Sequence, residues 1–254
     1  MRTSYKLATA ALGAAALLPL GVGSALAADG NSTARLRPVA LNGVNASGTA
    51  TVAVTGTTIN VTMSATGLLA DQPHAAHIHF GATARHECPV AGDDTNKDGH
   101  LNTTEGGPAY GPIVVSLTKT GDTSPASGLA VDRFDTAPGG KLTYQRGSIT
   151  VSPDVAAAIV AGKAVVVVHG TDYNNNGKYD GATKSDLMPS LPTEATDPAI
   201  CGVLNAAPAG GMATGAGGAA QTGDNEAMLL LGGGMLMAGV GTGAFAARRA
   251  RARA

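Results

Sequence analysis

The sequence predicts an all-β domain, an antiparallel β-sandwich or flattened barrel with one short helix. Three observations carry that reading. Val, Ile and Thr recur with a period of two over several short stretches, which is the pattern of half-buried strands. Glycine-bearing turns separate these stretches, and a single segment, residues 153–161, has the signals of a helix.

The elements follow in chain order. Residues 1–27 read as a secretory signal: Arg2 and Lys6 make a basic start, residues 7–20 are uncharged and largely apolar, and Ala25 and Ala27 frame a small-residue cleavage site. Residues 28–34 are expected to be an N-terminal extension, and residues 35–204 the folded domain. Thr49, Val52 and Val54 alternate with smaller residues, then Thr55-Gly56-Thr57 turns the chain into Ile59, Val61 and Met63, a β-hairpin. Further strands are expected at 113–118, 129–134, 141–151 and 163–169. The run Val165-Val166-Val167-Val168 does not alternate, so its strand should be covered on both faces. Pro153 opens the helix, Asp154 suits its positive end and Gly162 stops it.

Residues 205–226 form a Gly/Ala-rich linker. Residues 227–247 carry no charge and are long enough to cross a bilayer as a helix. The arginines of the basic tail, 248–254, would keep that end cytoplasmic. This end resembles the C-terminal anchors of bacterial surface proteins, and the membrane is the partner it implies. Residues 219–223 only echo a sortase signal and lack its Leu-Pro, so plain membrane anchoring and attachment to the cell wall both stay open.

The signal and tail hold six of the 17 basic residues and none of the 18 acidic ones, leaving 11 against 18 and a net charge of −7 between them. Such a balance excludes nucleic acid as a partner and suits cation binding. Cys88 and Cys201 stand far apart in a chain read as exported. An even count in an oxidising compartment favours a disulfide over two buried thiols.

Five of the six histidines lie between His74 and His100. If His77-Ile78-His79 is a strand, the two imidazoles face one space, as a transition metal requires; the alternative is a polar run beside a turn. His169 ends the Val run, where a packing role competes with that of a third ligand. His74 and His86 read as solvated loop histidines, with His74 also placed to be a rim ligand.

Two loops are rich in oxygen. Asp94, Asn96, Asp98, His100 (through its carbonyl), Asn102 and Glu105 match the spacing of an EF-hand calcium loop, with Gly99 at the sharp turn. No flanking helices are evident, and a solvated acidic loop is the rival reading. Asp172, Asn174, Asn176, Lys178 (through its carbonyl) and Asp180 repeat the first half of that pattern. Thr183 stands where the closing Glu belongs, Asp186 follows shortly, and an Asn/Gly turn explains this copy equally well.

In order, Gly67-Leu68, the His77/His79 pair, Cys88 nine residues after His79, His169 and the Cys201-Gly202-Val203 segment resemble the copper/zinc superoxide dismutase family over roughly residues 46–204. The chain is also similar to the chordin-type (CHRD) domains of bacterial exported proteins. Those share the H-x-H-x-G segment, a short helix before an apolar strand ending in His, and an Asn/Gly/Asp-rich loop after it. The resemblance implies a Greek-key sandwich, a Cys88–Cys201 bridge, and copper held by His77, His79, His169 and His100, the last at the family's bridging position.

It also implies departures. Glu105 stands where a zinc histidine precedes Gly-Gly-Pro, and the other zinc histidines have no counterpart, so no zinc site of that type is expected. Pro198 stands where the family keeps an arginine that guides superoxide. The function expected is an exported, surface-anchored, calcium-stabilised metal-binding domain with no catalytic residue assigned. The alternative is an active copper-only superoxide dismutase.

Overall fold

The computed structural model describes residues 29–207. The predicted signal, transmembrane segment, basic tail and most of the linker lie outside them. Among the described residues no helix is long and apolar enough to cross a membrane. One antiparallel sheet contains β1 (Gly30–Pro38), β2 (Ser47–Thr55), β3 (Thr58–Thr66), β4 (Ala76–His79), β5 (Ile113–Ser116), β6 (Lys141–Thr150), β7 (Val165–His169), β8 (Pro198–Val203) and β9 (Asn205–Ala206). Three short helices, α1 (Thr103–Tyr110), α2 (Pro153–Val160) and α3 (Thr193–Thr196), accompany it.

The strand order is β5-β4-β7-β8-β1-β2-β3-β6, with β9 beside β1. Pairing of β3 with β6 and of β4 with β7 skips sequence neighbours, a Greek-key type of connection. The two outer strands are bridged by side chains. From β6, Arg146 Nη1 donates to the Thr118 carbonyl at 2.7 Å, and Tyr144 Oη donates to the same oxygen at 3.3 Å, just beyond β5.

The expected hairpin is β2–β3, with Val52 opposite Val61 and Val54 opposite Ile59. Its inward residues enter a main core with Ala34, Leu36, Tyr144, Ile159 and Ile200. Strand β7 is buried at every position, as its unbroken Val run predicts. Val166 and Val168 join the main core on one face. Val165 and Val167 join Leu101, Tyr110 and Cys201 in a second cluster on the other. The Cys88–Cys201 disulfide is formed and seals that second cluster. It links residues 113 apart, worth about 4–5 kcal/mol in the chain-entropy view before any strain. Ser152 caps α2 by accepting the Val155 N–H.

Three features depart from expectation. Strand β1 begins at Gly30, inside the stretch set apart as an extension, because Ser32, Ala34 and Leu36 all turn inward. Ser32 is tolerated there because its hydroxyl donates to the Ile159 carbonyl at 2.9 Å. Residues 129–134 are not a strand. Val131–Arg133 is a 3-10 turn, and Arg133 folds back to donate to Ser127 Oγ and to the carbonyls of Thr120 and Asp122. The oxygen-rich loop 94–105 does have a flanking helix, α1, which starts inside it. Gly106, Gly107 and Pro108 hide that helix from propensity. It forms because Asn102 and Glu105 make a reciprocal capping box and because Asp186 accepts the Thr104 N–H at 2.7 Å.

Candidate metal centre

On β4, Ile78 points into the main core, so His77 and His79 point to the opposite face. Across the ladder His77 faces Val167 and His79 faces Val165. His169, two residues beyond Val167, therefore shares their face. The register shifts between Ile78 and His79 against β5, and between Val168 and His169 against β8. Such irregularities re-aim a side chain at the end of a strand. One nitrogen from each of His77, His79 and His169 lies within 4.8 Å of the other two, and all three residues are buried.

The remaining nitrogens are tied to backbone. His77 Nε2 donates to the Gly128 carbonyl at 3.0 Å, His79 Nδ1 to Gly111 at 2.8 Å and His169 Nδ1 to Thr196 at 2.6 Å. A carbonyl can only accept, so each contact fixes the N–H and leaves a lone pair on the opposite nitrogen. Those opposite atoms, His77 Nδ1, His79 Nε2 and His169 Nε2, are buried and have no hydrogen-bond partner. Burial is the main cause that keeps the rings neutral. The His77 pKa lies well below the usual imidazole value, that of His79 falls to about 3 and that of His169 to about 4, with mutual repulsion adding to the first two. Three neutral, unpartnered imidazole nitrogens on one face can hold a transition metal.

Helix α1 supports this centre from the side. The Tyr110 ring lies 4.5 Å from that of His79, Gly111 ends the helix and supplies the His79 acceptor, and Thr103 Oγ1 donates to the Thr196 carbonyl that also holds His169. His74 is not solvated: it is 1% exposed. Its Nδ1 lies 2.8 Å from the His169 carbonyl and its Nε2 lies 3.0 Å from the Leu69 carbonyl. Burial lowers its pKa although both carbonyls favour the protonated ring. His86 is half-buried and stacks on Phe80.

His100 does not join the three converging nitrogens. Its ring packs 3.9 Å from that of Tyr173, in a cleft between the two oxygen-rich loops that also includes Asn96, Asp98, Asn102 and Asn174. Within the first loop, Asp94 Oδ2 accepts the Gly99 N–H, Asn96 Oδ1 the Asp98 N–H, and Asp98 Oδ1 the His100 N–H. Glu105 closes the loop by accepting from the backbone of Thr95, Asn96 and Asn102.

The second loop is built alike, with Asp172 Oδ2 accepting the Gly177 N–H, Asn176 Oδ1 the Lys178 N–H, and Asp180 Oδ1 accepting from the side chains of Asn174 and Asn176. Asp186, the acid nearest in sequence, caps α1 instead of closing this loop. Glu194 closes it: Oε1 accepts the Tyr173 N–H at 3.0 Å, as Glu105 accepts the Thr95 N–H in the first loop. Glu194 lies 22 residues beyond Asp172, so no loop spacing could have marked it.

No protein-family model and no curated protein matches the chain. Among solved structures it is similar to two mutant forms of superoxide dismutase 5 from Candida albicans. One match has a TM-score of 0.36 at 15% identity and covers 70% of this chain and 90% of the other. The second has a TM-score of 0.37 at 16% identity and covers 74% and 99%.

Proposed function

We propose that this chain is an exported, surface-anchored metal-binding domain of the superoxide dismutase-like, CHRD-like kind, holding copper through His77, His79 and His169. The observation that carries the reading is the convergence of three buried nitrogens with no partner, each on a ring whose other nitrogen is fastened to a backbone carbonyl. A buried polar atom without a partner costs free energy, and three on one spot are accounted for by a shared ligand. Neutral imidazole suits copper, which would supply one-electron redox chemistry when bound. The residues of the zinc half of a dismutase site are missing from the sequence, so the metal site is read as single. The oxygen-rich loops are read as calcium sites that brace α1. A disulfide between residues so far apart accords with export, and the uncharged segment 227–247 with anchoring in the membrane, directly or on the way to the cell wall.

Metal analysis of the purified full chain after loading with copper or zinc tests the proposal. One transition-metal ion per chain is expected, lost in His79→Ala and in His169→Ala while the disulfide and far-UV spectrum persist. A wild-type chain that retains no metal sinks the reading. A superoxide assay on the copper-loaded chain then separates a binding domain from an active copper-only dismutase.

A further inference from the structure

Strands β1, β2, β3 and β6 are neighbours in the sheet, and the side chains that do not enter the main core form one outward face. None of the four strands contains an Asp or Glu, although acidic residues outnumber basic ones by 18 to 11 between the predicted signal and tail. The face instead carries Arg35, Arg37 and Lys141, all exposed. Strand register sets hydroxyls between these cations in two rows. Arg35 stands opposite Thr49, Thr49 opposite Ser64 and Ser64 opposite Thr143. In the adjoining row Ser47 stands opposite Thr66 and Thr66 opposite Lys141. Arg37 follows Arg35 on the same face of β1, about 7 Å further along the strand.

The other three arginines among the described residues are engaged. Arg85 pairs with Glu87 and Asp93, Arg133 donates to Ser127 Oγ and two carbonyls, and Arg146 donates to Thr118 and to the Gly121 carbonyl. Arg35, Arg37 and Lys141 make no ion pair and no side-chain hydrogen bond among the described residues. The hydroxyls of the two rows make one, the 3.5 Å contact between Thr49 Oγ1 and Ser64 Oγ. Both arginines, Ser47, Thr49, Ser64 and Thr66 line a single surface groove of about 500 Å³.

We propose that this groove is a docking surface for a linear acidic polysaccharide met outside the cell. Charge complementarity names the acid: two unengaged guanidinium forks on a face without a carboxylate match anionic groups bidentately. The hydroxyl rows name the sugar, because Ser and Thr both donate and accept, as the hydroxyls of a polysaccharide do. Repetition across four strands suits a chain of repeating units. Every Leu, Ile, Val, Met and Tyr of these strands is buried, so the face offers nothing apolar to enter a lipid surface or to anchor a protein interface, and no ring on which a base could stack. The inference does not depend on metal at the three histidines, and the exported reading enters only as the place where such a polymer would be met.

The test is calorimetric titration of the purified full chain with polygalacturonate, at low salt and with EDTA present to remove calcium. The wild type is expected to bind, more weakly as salt rises. Binding is expected to fall at least about tenfold in the double variant Arg35→Gln/Arg37→Gln and to persist in Lys163→Gln, a cation outside these strands. Both arginines are exposed, and an unchanged far-UV spectrum and disulfide show that the double variant is folded. Polyacrylate has the charge without the hydroxyls and neutral dextran the hydroxyls without the charge; each is expected to bind more weakly than polygalacturonate. A wild type that does not bind polygalacturonate overturns the proposal, as does binding that needs calcium or that survives the double substitution. Polyacrylate, dextran or phosphatidylglycerol vesicles bound as tightly as polygalacturonate would overturn it too.

Discussion

The three-histidine centre and the oxygen-rich loops both gather metal-ligand atoms, yet they leave those atoms in different states. His77, His79 and His169 project from paired strands, are fastened from behind by carbonyls, and leave three buried nitrogens without partners. In the loop 94–105 nearly every side-chain oxygen is already accepting from the loop's own backbone or side chains, and Asp94 Oδ1 and His100 Nδ1 are the buried side-chain atoms left without a partner. A preformed set of open lone pairs loses little on receiving an ion. A loop that already satisfies itself must exchange hydrogen bonds for coordination. The convergence of three unpartnered nitrogens within 4.8 Å, more than the number of ligand-type residues, therefore distinguishes the two regions.

That contrast can be broken by ligand-dependent stability. A ligand present at 100 times its dissociation constant stabilises the native state by about 2.7 kcal/mol. Copper is expected to raise the melting temperature of the full chain by at least that equivalent at low micromolar concentrations, whereas calcium acts only at millimolar concentrations. Differential scanning calorimetry with each ion decides it; equal shifts from micromolar calcium would erase the distinction.

Next in size is Glu105→Gln. The buried carboxylate accepts from the backbone of Thr95, Asn96 and Asn102 and from Thr95 Oγ1. Charge-assisted bonds of this kind are worth more than neutral ones, so a loss of about 2 kcal/mol in urea unfolding is expected even without calcium. No change would mean that the loop does not depend on its own closure.

The metal-free chain should also weaken in acid. The lowered pKa values of His77, His79 and His169 mean that the unfolded chain takes up protons near pH 6.5 while the folded rings resist until well below it, His79 until about 3 and His169 until about 4. Their contribution is complete above pH 6.5 and is lost as pH falls towards 4. Asp197 acts in the opposite sense. Burial raises its pKa to about 7, so its contribution is present at low pH and lost as pH rises through that value. Three histidines outweigh one carboxyl, and the urea midpoint should fall between pH 6.5 and 4. Bound copper should leave that slope unchanged near its upper end, where the folded rings are neutral with or without metal, and a midpoint flat across the range would contradict the buried, neutral imidazoles.

The smallest effect is expected from Thr103→Val, which removes one hydrogen bond to the Thr196 carbonyl at about 1 kcal/mol. The copper(II) electron paramagnetic resonance spectrum should shift slightly as His169 loses part of its support. Thr103→Ser, which keeps the hydroxyl, should restore it. A shift equal in both variants would tie it to packing instead.

Much of this contrast was legible in the sequence. The period of two in β2 and β3, the unbroken Val run of β7, and the Pro153 and Gly162 boundaries of α2 each report local physics that the tertiary fold leaves unopposed. The H-x-H spacing places His77 and His79 on one face for the same reason. Other features depend on distant partners. Ser32 makes β1 look polar until the Ile159 carbonyl is known. Gly106, Gly107 and Pro108 argue against α1 until Asn102, Glu105 and Asp186 satisfy its first turn. Residues 129–134 alternate well enough for a strand, but the Arg133 side chain finds three oxygens in the preceding turn. His74 follows a proline, as loop residues do, yet it is enclosed by the Leu69 and His169 carbonyls and Tyr179.

The placement of the ligands on β4 and β7 also sets an order of events. His79 and His169 are 90 residues apart in the chain, and β7 reaches β4 only once α1, α2, the intervening loops, β5 and β6 have been made. Contacts of such long sequence separation form late. A chain threading out of the cell from its N-terminus would carry His77 and His79 across as an incomplete pair. The third nitrogen would arrive only as the sheet closes, so the ion would be taken up outside, from whatever the surroundings then offer.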